Sequence, residues 1–369
     1  MSNDPDRRLA EHRLKIDEID RQIVDLLDDR AAVVSKVGHE KSASGDPVFV
    51  PTREAEVIRR AIAVSNGSLS GEAISAIFTQ IIAACRALEK TLEVAYLGPP
   101  MTFSHGAARK VFGESADYVA VNSIDAIFAQ VSRGEADFGV VPIENTAAGM
   151  VGDSIDGFMR HPVDVIAETS ERIVHNLLSN SSLEEIQVVY SHPQALAQCQ
   201  DWLSQNLPAA ERSEVASTAA AAVRASQEPR SAAIGLEAAA TANGLSVVRR
   251  NIHDFSANST RFFLLGNRSN PSTGNDRTAM IFAVKDRVGA LHEVLGALRN
   301  RDVNLSNMQS RPARGLHDAV LGDYVFYAEF AGHRNDSNVA AAIADVGALC
   351  STVRIIGSWP ADLPGAQVI

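Results

Sequence analysis

Between Asp6 and Asp46 the chain contains no proline, and this constrains the fold more than any other local feature. Proline breaks helices because it has no N–H to donate and its ring clashes with the preceding turn. Over residues 9–41 the apolar side chains Ile16, Ile19, Ile23, Leu26, Leu27, Val33, Val34 and Val37 recur at the helical period. One long helix is predicted, far longer than a small globule needs, and such a helix usually buries its apolar stripe against a partner chain. "SGDPVFVP" breaks it. Thr52 is expected to N-cap a second helix with Glu54 and Glu56 in its first turn. "NGSLSG" ends that helix, and a third is predicted from about Glu72 to Leu92.

From Glu93 the grammar changes. "EVAYLG", "DFGVVPI", "QVVYS", "SAAIGL", "LSVVRRNI" and "RFFLLG" are short strand-like runs that alternate with Ala-rich helical stretches, the α/β pattern. It stops at "GNRSNPSTGNDR", a Gly/Pro/Asn/Ser linker. The remainder reads as strand "TAMIFAVK", helix "GALHEVLGALRNR", strands "VNLSNMQSRP" and "DYVFYAEFA", a helix in 336–348 and strand "TVRIIGSW". That order is βαββαβ, the ferredoxin-like arrangement. A multidomain chain is expected: all-α over 1–92, α/β over 93–268, a linker at 269–277 and α+β over 278–358.

With 46% apolar and 21% charged residues, the chain reads as an ordinary soluble protein. No apolar run approaches the roughly 20 residues that cross a bilayer. "MSNDPDRRLAEHR" has no apolar core of the signal-peptide kind. Cys85, Cys199 and Cys350 are odd in number, widely spaced and free of CxxC, so reduced thiols in the cytoplasm are expected. A net charge of −11 argues against general nucleic-acid binding. No histidine pattern of the HxxxH or HExxH type occurs, and "GPPMTFSHG" lacks the dinucleotide fingerprint, so neither a metal nor a nucleotide cofactor is expected. Ser191–His192 has the look of a hydrolase pair, but adjacent strand residues point to opposite faces, which argues against a serine nucleophile.

The cations of the helical segment are placed with a pattern. Arg30 and Lys41 are eleven positions apart, which at about 100° per residue brings them to nearly the same side of one helix. Arg13 lies roughly 100° away around the axis. It cannot easily share their pocket within one chain, although a partner's Arg13 could reach it. Cys85 and Glu89, four apart, face together on the third helix.

Three resemblances join these segments. "HRLKIDEIDRQIVDLLDDRAAVVSKVGHEK", "PTRE" and "IFTQIIAACRALE" resemble the all-helical class of chorismate mutase over residues 9–92. The resemblance implies that Arg30 and a partner chain's Arg13 bind the two substrate carboxylates, and that Lys41 and Glu89 meet the ether oxygen. Glu54 would meet the ring hydroxyl, Arg53 would support the pocket, and Cys85 takes a position often held by Ser. Val50 stands where many members carry an acid. Glu89 replaces the Gln of some members. Only the protonated acid can donate a hydrogen bond there, so mutase activity is expected to fall as pH rises.

"VAYLGPPMTFSHGAA", "DFGVVPIENTAAG", "VVYSHPQALAQCQDWL" and "NSTRFFLLG" resemble the successive motifs of prephenate dehydratase over residues 93–268. The implied fold is two α/β lobes around a cleft, like a periplasmic binding protein, with the chain returning to its first lobe at "NSTRFFLLG". Thr260 would donate to the departing hydroxyl and Arg261 would hold a carboxylate. Asn145, Thr146, Ser191 and Gln198 would line the cleft with Thr102 and Ser104, beside which Met101 replaces the family's usual Gly.

"RVGALHEVL" and "NMQSRP" resemble an ACT regulatory domain over residues 278–358, implying phenylalanine bound by Gly289, Ala290, Leu291, Gln309, Ser310, Arg311 and Pro312. Gln309 replaces the usual acidic residue, so feedback inhibition weaker than usual is expected. Together the resemblances imply a bifunctional enzyme that takes chorismate to prephenate and then to phenylpyruvate, without a cofactor, as a homodimer or homotetramer. Two alternatives stay open. One is a monofunctional prephenate or arogenate dehydratase with a helical dimerisation arm; the other is a non-catalytic amino-acid sensor.

Overall fold

The computed structural model describes residues 5–44, 47–254, 258–285, 287–312 and 324–361. The chain divides into two compact units, Met1–Leu92 with Phe112–Ala116, and Glu93–Val111 with Asp117–Ile369.

In the first unit α1 (Pro5–Ser44) is one unbroken helix of 40 residues, as the proline-free stretch requires. α2 spans Pro51–Val64 and α3 spans Gly71–Ala87. Thr52 does not cap α2. The helix starts one residue earlier, at Pro51, with Val50 at the N-cap, because proline's fixed φ and missing N–H suit the first helical position. Ser70 caps α3, its Oγ accepting from Ala73 N. Much of the α1 apolar stripe is open. Ile16, Ile19, Ile23 and Leu26 are 46–67% exposed.

The second unit opens with β1 (Glu93–Leu97), α4 (Phe103–Phe112), β2 (Asp117–Val121), α5 (Ile124–Arg133) and β3 (Phe138–Asn145). β4 (Gly149–Met150), α6 (Gly152–Arg160) and β5 (Asp164–Arg172) complete the outgoing half of the first lobe. The second lobe holds β6 (Asn176–Ser179), β7 (Val188–Ser191), α7 (Pro193–Gln198), α8 (Gln200–Asn206) and β8 (Glu211–Glu214). It closes with α9 (Thr218–Gln227), β9 (Ser231–Gly235), α10 (Glu237–Ala242) and β10 (Ser246–Arg249). β11 (Ser259–Gly266) then returns to the first lobe, between β3 and β5. The last region is β12 (Asp276–Val284), α11 (Ala290–Asn300), β13 (Leu305–Pro312), β14 (Tyr324–Ala331), α12 (Ser337–Leu349) and β15 (Thr352–Pro360). Its strands lie in the order β13-β14-β12-β15, all pairings antiparallel, which is the ferredoxin-like sheet.

The second lobe has its own five-stranded sheet, β10-β6-β9-β7-β8. The first lobe and the last region share one. A parallel pairing of Gly357 with Val165 joins β15 to β5, giving a ten-stranded sheet, β13-β14-β12-β15-β5-β11-β3-β1-β2 with β4 against β3. Their cores merge as well. Ala279, Ile281, Tyr327 and Trp359 pack in one apolar cluster with Phe128, Phe158 and Phe263. The linker predicted at 269–277 therefore joins two halves of one packed body, and β12 begins inside it, at Asp276.

Candidate active sites

In the helical unit the charges converge on Glu54. Arg86, 5% exposed on α3, donates through Nη1 to Glu54 Oε1 at 2.5 Å and through Nη2 to the Phe112 carbonyl at 2.7 Å. Its guanidinium lies 5.1 Å from the Phe49 ring centre, a cation–π distance. Burial raises the Glu54 carboxyl above its usual range, opposed first by Arg86 and then by Lys41 and Arg30. Lys41 and Arg30 therefore act on the same group. Arg30 Nη1 and Glu89 Oε2 are both buried without a hydrogen-bond partner among the described residues. Buried polar atoms are almost always paired, so the orphaned Arg30 atom near Glu54 and the orphaned Glu89 atom near Gly38 have capacity for a polar ligand. Gly38 makes room: a Cβ there would lie 2.6 Å from Glu89 Cγ.

Arg53 is not in this group. Its side chain is 61% exposed and ion-paired with Glu56 at 2.7 Å, because consecutive helical residues face different ways and Glu54 is the one turned inward. Arg13 is exposed on α1 and Cys85 is buried on α3. Val50 contributes its backbone, its carbonyl accepting from Arg53 N and Glu54 N. In Glu89→Gln the pH dependence of mutase kcat is expected to flatten, since an amide donates at every pH. A profile superimposable on that of the unaltered protein contradicts the role given to Glu89.

In the second unit, Thr260 lies opposite Asn145 across the β11–β3 pairing. Asn145 Nδ2 donates to Thr260 Oγ1 at 2.8 Å and to Asn258 Oδ1 at 3.1 Å. Asn145 Oδ1 accepts from the amides of Ala147 and Ala148, both at 3.0 Å, which fixes the orientation of the amide. Thr146 Oγ1 joins Asn258 Oδ1 at 3.2 Å and accepts from Ser259 N at 3.0 Å. The Thr260 oxygen thus accepts within the protein and its own hydrogen is not needed there. Polarised by Asn145, that hydroxyl is a better donor to a ligand.

Arg261 is a correction. Expected in the cleft with Thr260, it points to the opposite face, as adjacent strand residues must. Its guanidinium is taken up by Glu144, Glu168 and Glu329. Both of its terminal nitrogens are engaged by these carboxylates, and Nε alone is left without a hydrogen-bond partner among the described residues. On the Thr260 face the cross-strand neighbour in β5 is Glu171, raised by burial and 3.6 Å from Lys110 Nζ. Lys110, a cation on this side, also donates to the Ser170 carbonyl at 2.6 Å and stays partly exposed; sequence reading passed over it.

Ser191 is fully buried, its hydroxyl donating to the Ile234 carbonyl at 2.9 Å, so it braces β7 against β9 rather than presenting a polar group. His192 caps α7, Nδ1 accepting from Gln194 N. Gln198 Oε1 meets Nε2 of the buried His175 at 2.8 Å, and the His175 ring packs edge-on against Phe103 at 5.8 Å. His175, another residue not anticipated, thus ties Gln198 to the start of α4. Thr102 Oγ1 donates to the carbonyl of Pro99 at 3.1 Å, and Ser104 is buried in the first turn of α4. Met101 holds φ +64, the left-handed region a glycine enters without steric penalty, so the loop keeps a glycine-like path.

In the ferredoxin-like region Gly289 has φ +83 and caps α11, where Ala290 is buried and Leu291 half-buried. Gln309, Ser310 and Pro312 are exposed on β13. Arg311 turns away from α11. It donates to the Gly152 carbonyl at 2.6 Å and to Asp156 Oδ2 at 3.0 Å, both on α6, and so is committed to the neighbouring lobe.

Three family profiles match: chorismate mutase type II at 12–90, prephenate dehydratase at 94–270 and the ACT domain at 278–348. A bifunctional chorismate mutase/prephenate dehydratase of Aquifex aeolicus is 38% identical over 357 residues, covering 95% of this chain and 98% of the relative. The chain belongs to the bifunctional chorismate mutase/prephenate dehydratase family. The crystal structure of an Arthrobacter aurescens prephenate dehydratase in complex with L-Phe has a TM-score of 0.68 at 31% identity, covering 75% of this chain and 93% of that one. A protein described as a novel type of quorum-quenching acylase has a TM-score of 0.65 at 26% identity, covering 73% of this chain and 98% of that one. Since different chemistries are described on one scaffold, the reading of function rests on the sites.

Proposed function

We propose that the helical unit rearranges chorismate to prephenate and that the two-lobed region converts prephenate to phenylpyruvate, under feedback by phenylalanine. The observation that carries this reading is the separation of two prepared polar sites on one chain. One has orphaned Arg30 and Glu89 atoms, and the other has a Thr260 hydroxyl oriented by Asn145.

The first reaction is pericyclic and needs no covalent help. It needs the substrate folded into its reactive shape and positive charge where the breaking ether oxygen becomes electron-rich. Lys41 and Arg30 supply the charge, and Glu54, held by Arg86, takes the ring hydroxyl. In the second reaction the ring carboxylate leaves as CO2. Its bonding pair enters the ring and expels the C4 oxygen, which gains a proton and departs as water. Thr260 donates to that oxygen as charge develops on it. Lys110, partly exposed beside Glu171, is assigned the carboxylate role first expected of Arg261.

The boundaries proposed are 1–92, 93–268 and 278–358. The open stripe on α1 supports a homodimer in which each chain lends Arg13 to the other's pocket. No helix among the described residues is long and apolar enough to cross a membrane, and we place the enzyme in the cytoplasm. Phenylalanine would meet the α11 N-terminus and β13. Gln309→Glu restores a charge for its ammonium group and is expected to tighten inhibition about tenfold, the worth of one hydrogen bond to a charged group. Equal or weaker inhibition of the variant contradicts that placement.

The whole reading is tested by supplying chorismate alone to the purified chain, with and without phenylalanine. Phenylpyruvate should accumulate without added prephenate, and phenylalanine should slow it. Chorismate left unconsumed, or prephenate as the end product, contradicts it.

A further inference from the structure

Arg261 sits beside Thr260 in the chain and opposite Glu144, which itself sits beside Asn145. One guanidinium thereby borders both strands that hold the Thr260–Asn145 pair. It is 8% exposed and meets three carboxylates. Nη2 reaches Glu144 Oε2 at 3.3 Å, Nη1 reaches Glu168 Oε2 at 3.2 Å, and both nitrogens form a fork on Glu329, with Nη1–Oε2 at 2.8 Å. Glu168 and Glu329 are 1% exposed in their side chains. Fork pairing of this kind fixes orientation as well as distance.

The partners come from two functional regions. Glu144 and Glu168 belong to the dehydratase lobe. Glu329 belongs to β14 of the ACT region, where it also accepts from the Tyr327 hydroxyl. Its cross-strand neighbour on β13 is Asn307, the first residue of "NMQSRP". Asn307 Nδ2 in turn donates to Glu144 Oε2 at 3.3 Å. The strand carrying the effector motif is thus one side chain from the residue beside Asn145. A buried charge cluster of this kind has no soft intermediate positions, because a partly broken pair leaves a charge unpaired in the interior.

We propose that Arg261 is a positioning residue, and that its Glu329 fork is the element through which the ACT region sets the Thr260–Asn145 geometry. The inference rests on the reading of Thr260 as the dehydratase donor and of phenylalanine as the effector. An effector that moves β13 and β14 moves Glu329 and Asn307, and through Arg261 and Glu144 both strands of the catalytic pair move. Asp164 provides the internal comparison. It joins Arg334 of the ACT region at 2.9 Å, a single ion pair of half-buried side chains across the same two regions, but lies opposite Gly266 at the far end of β11.

The test compares Glu329→Gln and Asp164→Asn with the unaltered chain. For each, the factor by which saturating phenylalanine lowers dehydratase kcat/KM is measured, with thermal unfolding and dehydratase activity without phenylalanine as the controls for folding and calorimetry for phenylalanine binding. Such coupling factors are commonly about 5–150-fold. In Glu329→Gln the factor is expected to fall to within about twofold of no effect while phenylalanine still binds. In Asp164→Asn it should stay within about twofold of the unaltered value. The proposal is overturned by a full factor in Glu329→Gln, by equal loss in both variants, or by loss of phenylalanine binding in Glu329→Gln. Should Glu329→Gln fail to fold, Tyr327→Phe removes one hydrogen bond from the same carboxylate and no charge. A reduced factor in that variant supports the proposal and an unchanged one overturns it. An unaltered chain without dehydratase activity defeats the reading of Thr260 itself, and this inference with it.

Discussion

An Arg86→Met protein is expected to lose about 3 kcal/mol of stability in its helical unit and about 100-fold in mutase kcat/KM. The side chain is 5% exposed and serves both Glu54 and the Phe112 carbonyl, so methionine fills the volume but leaves a half-buried carboxylate and a buried carbonyl unserved. Breaking a buried pair by removing one partner costs about 3–5 kcal/mol, because the remaining charge stays in a poor solvent. The activity loss has a separate origin, since Glu54 is then free to swing to Lys41 or Arg30 and withdraw them from the substrate. The double variant Arg86→Met, Glu54→Gln distinguishes the two effects. It should recover most of the stability, having no unpaired charge, and almost none of the activity. Chemical denaturation and a chorismate-consumption assay measure both, and mutase activity of Arg86→Met within threefold of normal would remove Arg86 from the site.

Thr260→Val carries the largest expected effect on the second reaction. The hydroxyl oxygen is polarised by Asn145, and a positioned donor contributes typically 10²–10⁴-fold. Dehydratase kcat is expected to fall by about that range, while KM for prephenate changes little, since the contact strengthens only as the C4 oxygen departs. The fold should tolerate the change. Asn145 Nδ2 keeps Asn258 Oδ1 and the Ser259 carbonyl as acceptors, so the loss is one hydrogen bond, about 1 kcal/mol. A variant that keeps its kcat, or loses it only through KM, contradicts the role assigned to the hydroxyl.

The parts of the fold that were legible in the sequence are those where one local rule acts alone. The proline-free stretch dictated α1, and alternating runs located β1, β3, β7, β9, β10 and β11. β5 was not anticipated, although it lies beside β11 in the shared sheet. "DVIAETSER" is interrupted by Glu168 and Thr169, both buried, and Glu168 can be so because Arg261 and Arg277 come to it from elsewhere. A strand whose polar residues are satisfied by distant partners has no apolar run to read. The join of β15 to β5 was invisible for a related reason, since pairing at the edges of two regions leaves no signal in either.

The same logic divides the site residues. Thr260, Asn145 and Thr146 come together as the motifs implied, because register on adjacent strands fixes them. Arg261 was misplaced although the alternation rule that excluded Ser191–His192 as a pair applied equally to Thr260–Arg261. The missed residues had weaker signals. Glu329 stands as a lone acid in "YVFYAEFA", and Arg86 as a lone cation in "IIAACRA". A charge inside an apolar run announces a buried partner without saying which one. Glu168, Lys110 and His175 needed the topology.

The most direct measurement is a progress curve of the Thr260→Val protein with chorismate as its sole substrate. Chorismate should disappear at the unaltered rate while prephenate accumulates nearly one for one, with phenylpyruvate lagging by about two orders of magnitude or more. Phenylpyruvate formed at the unaltered rate, or chorismate left standing, would contradict two separate chemistries on this chain.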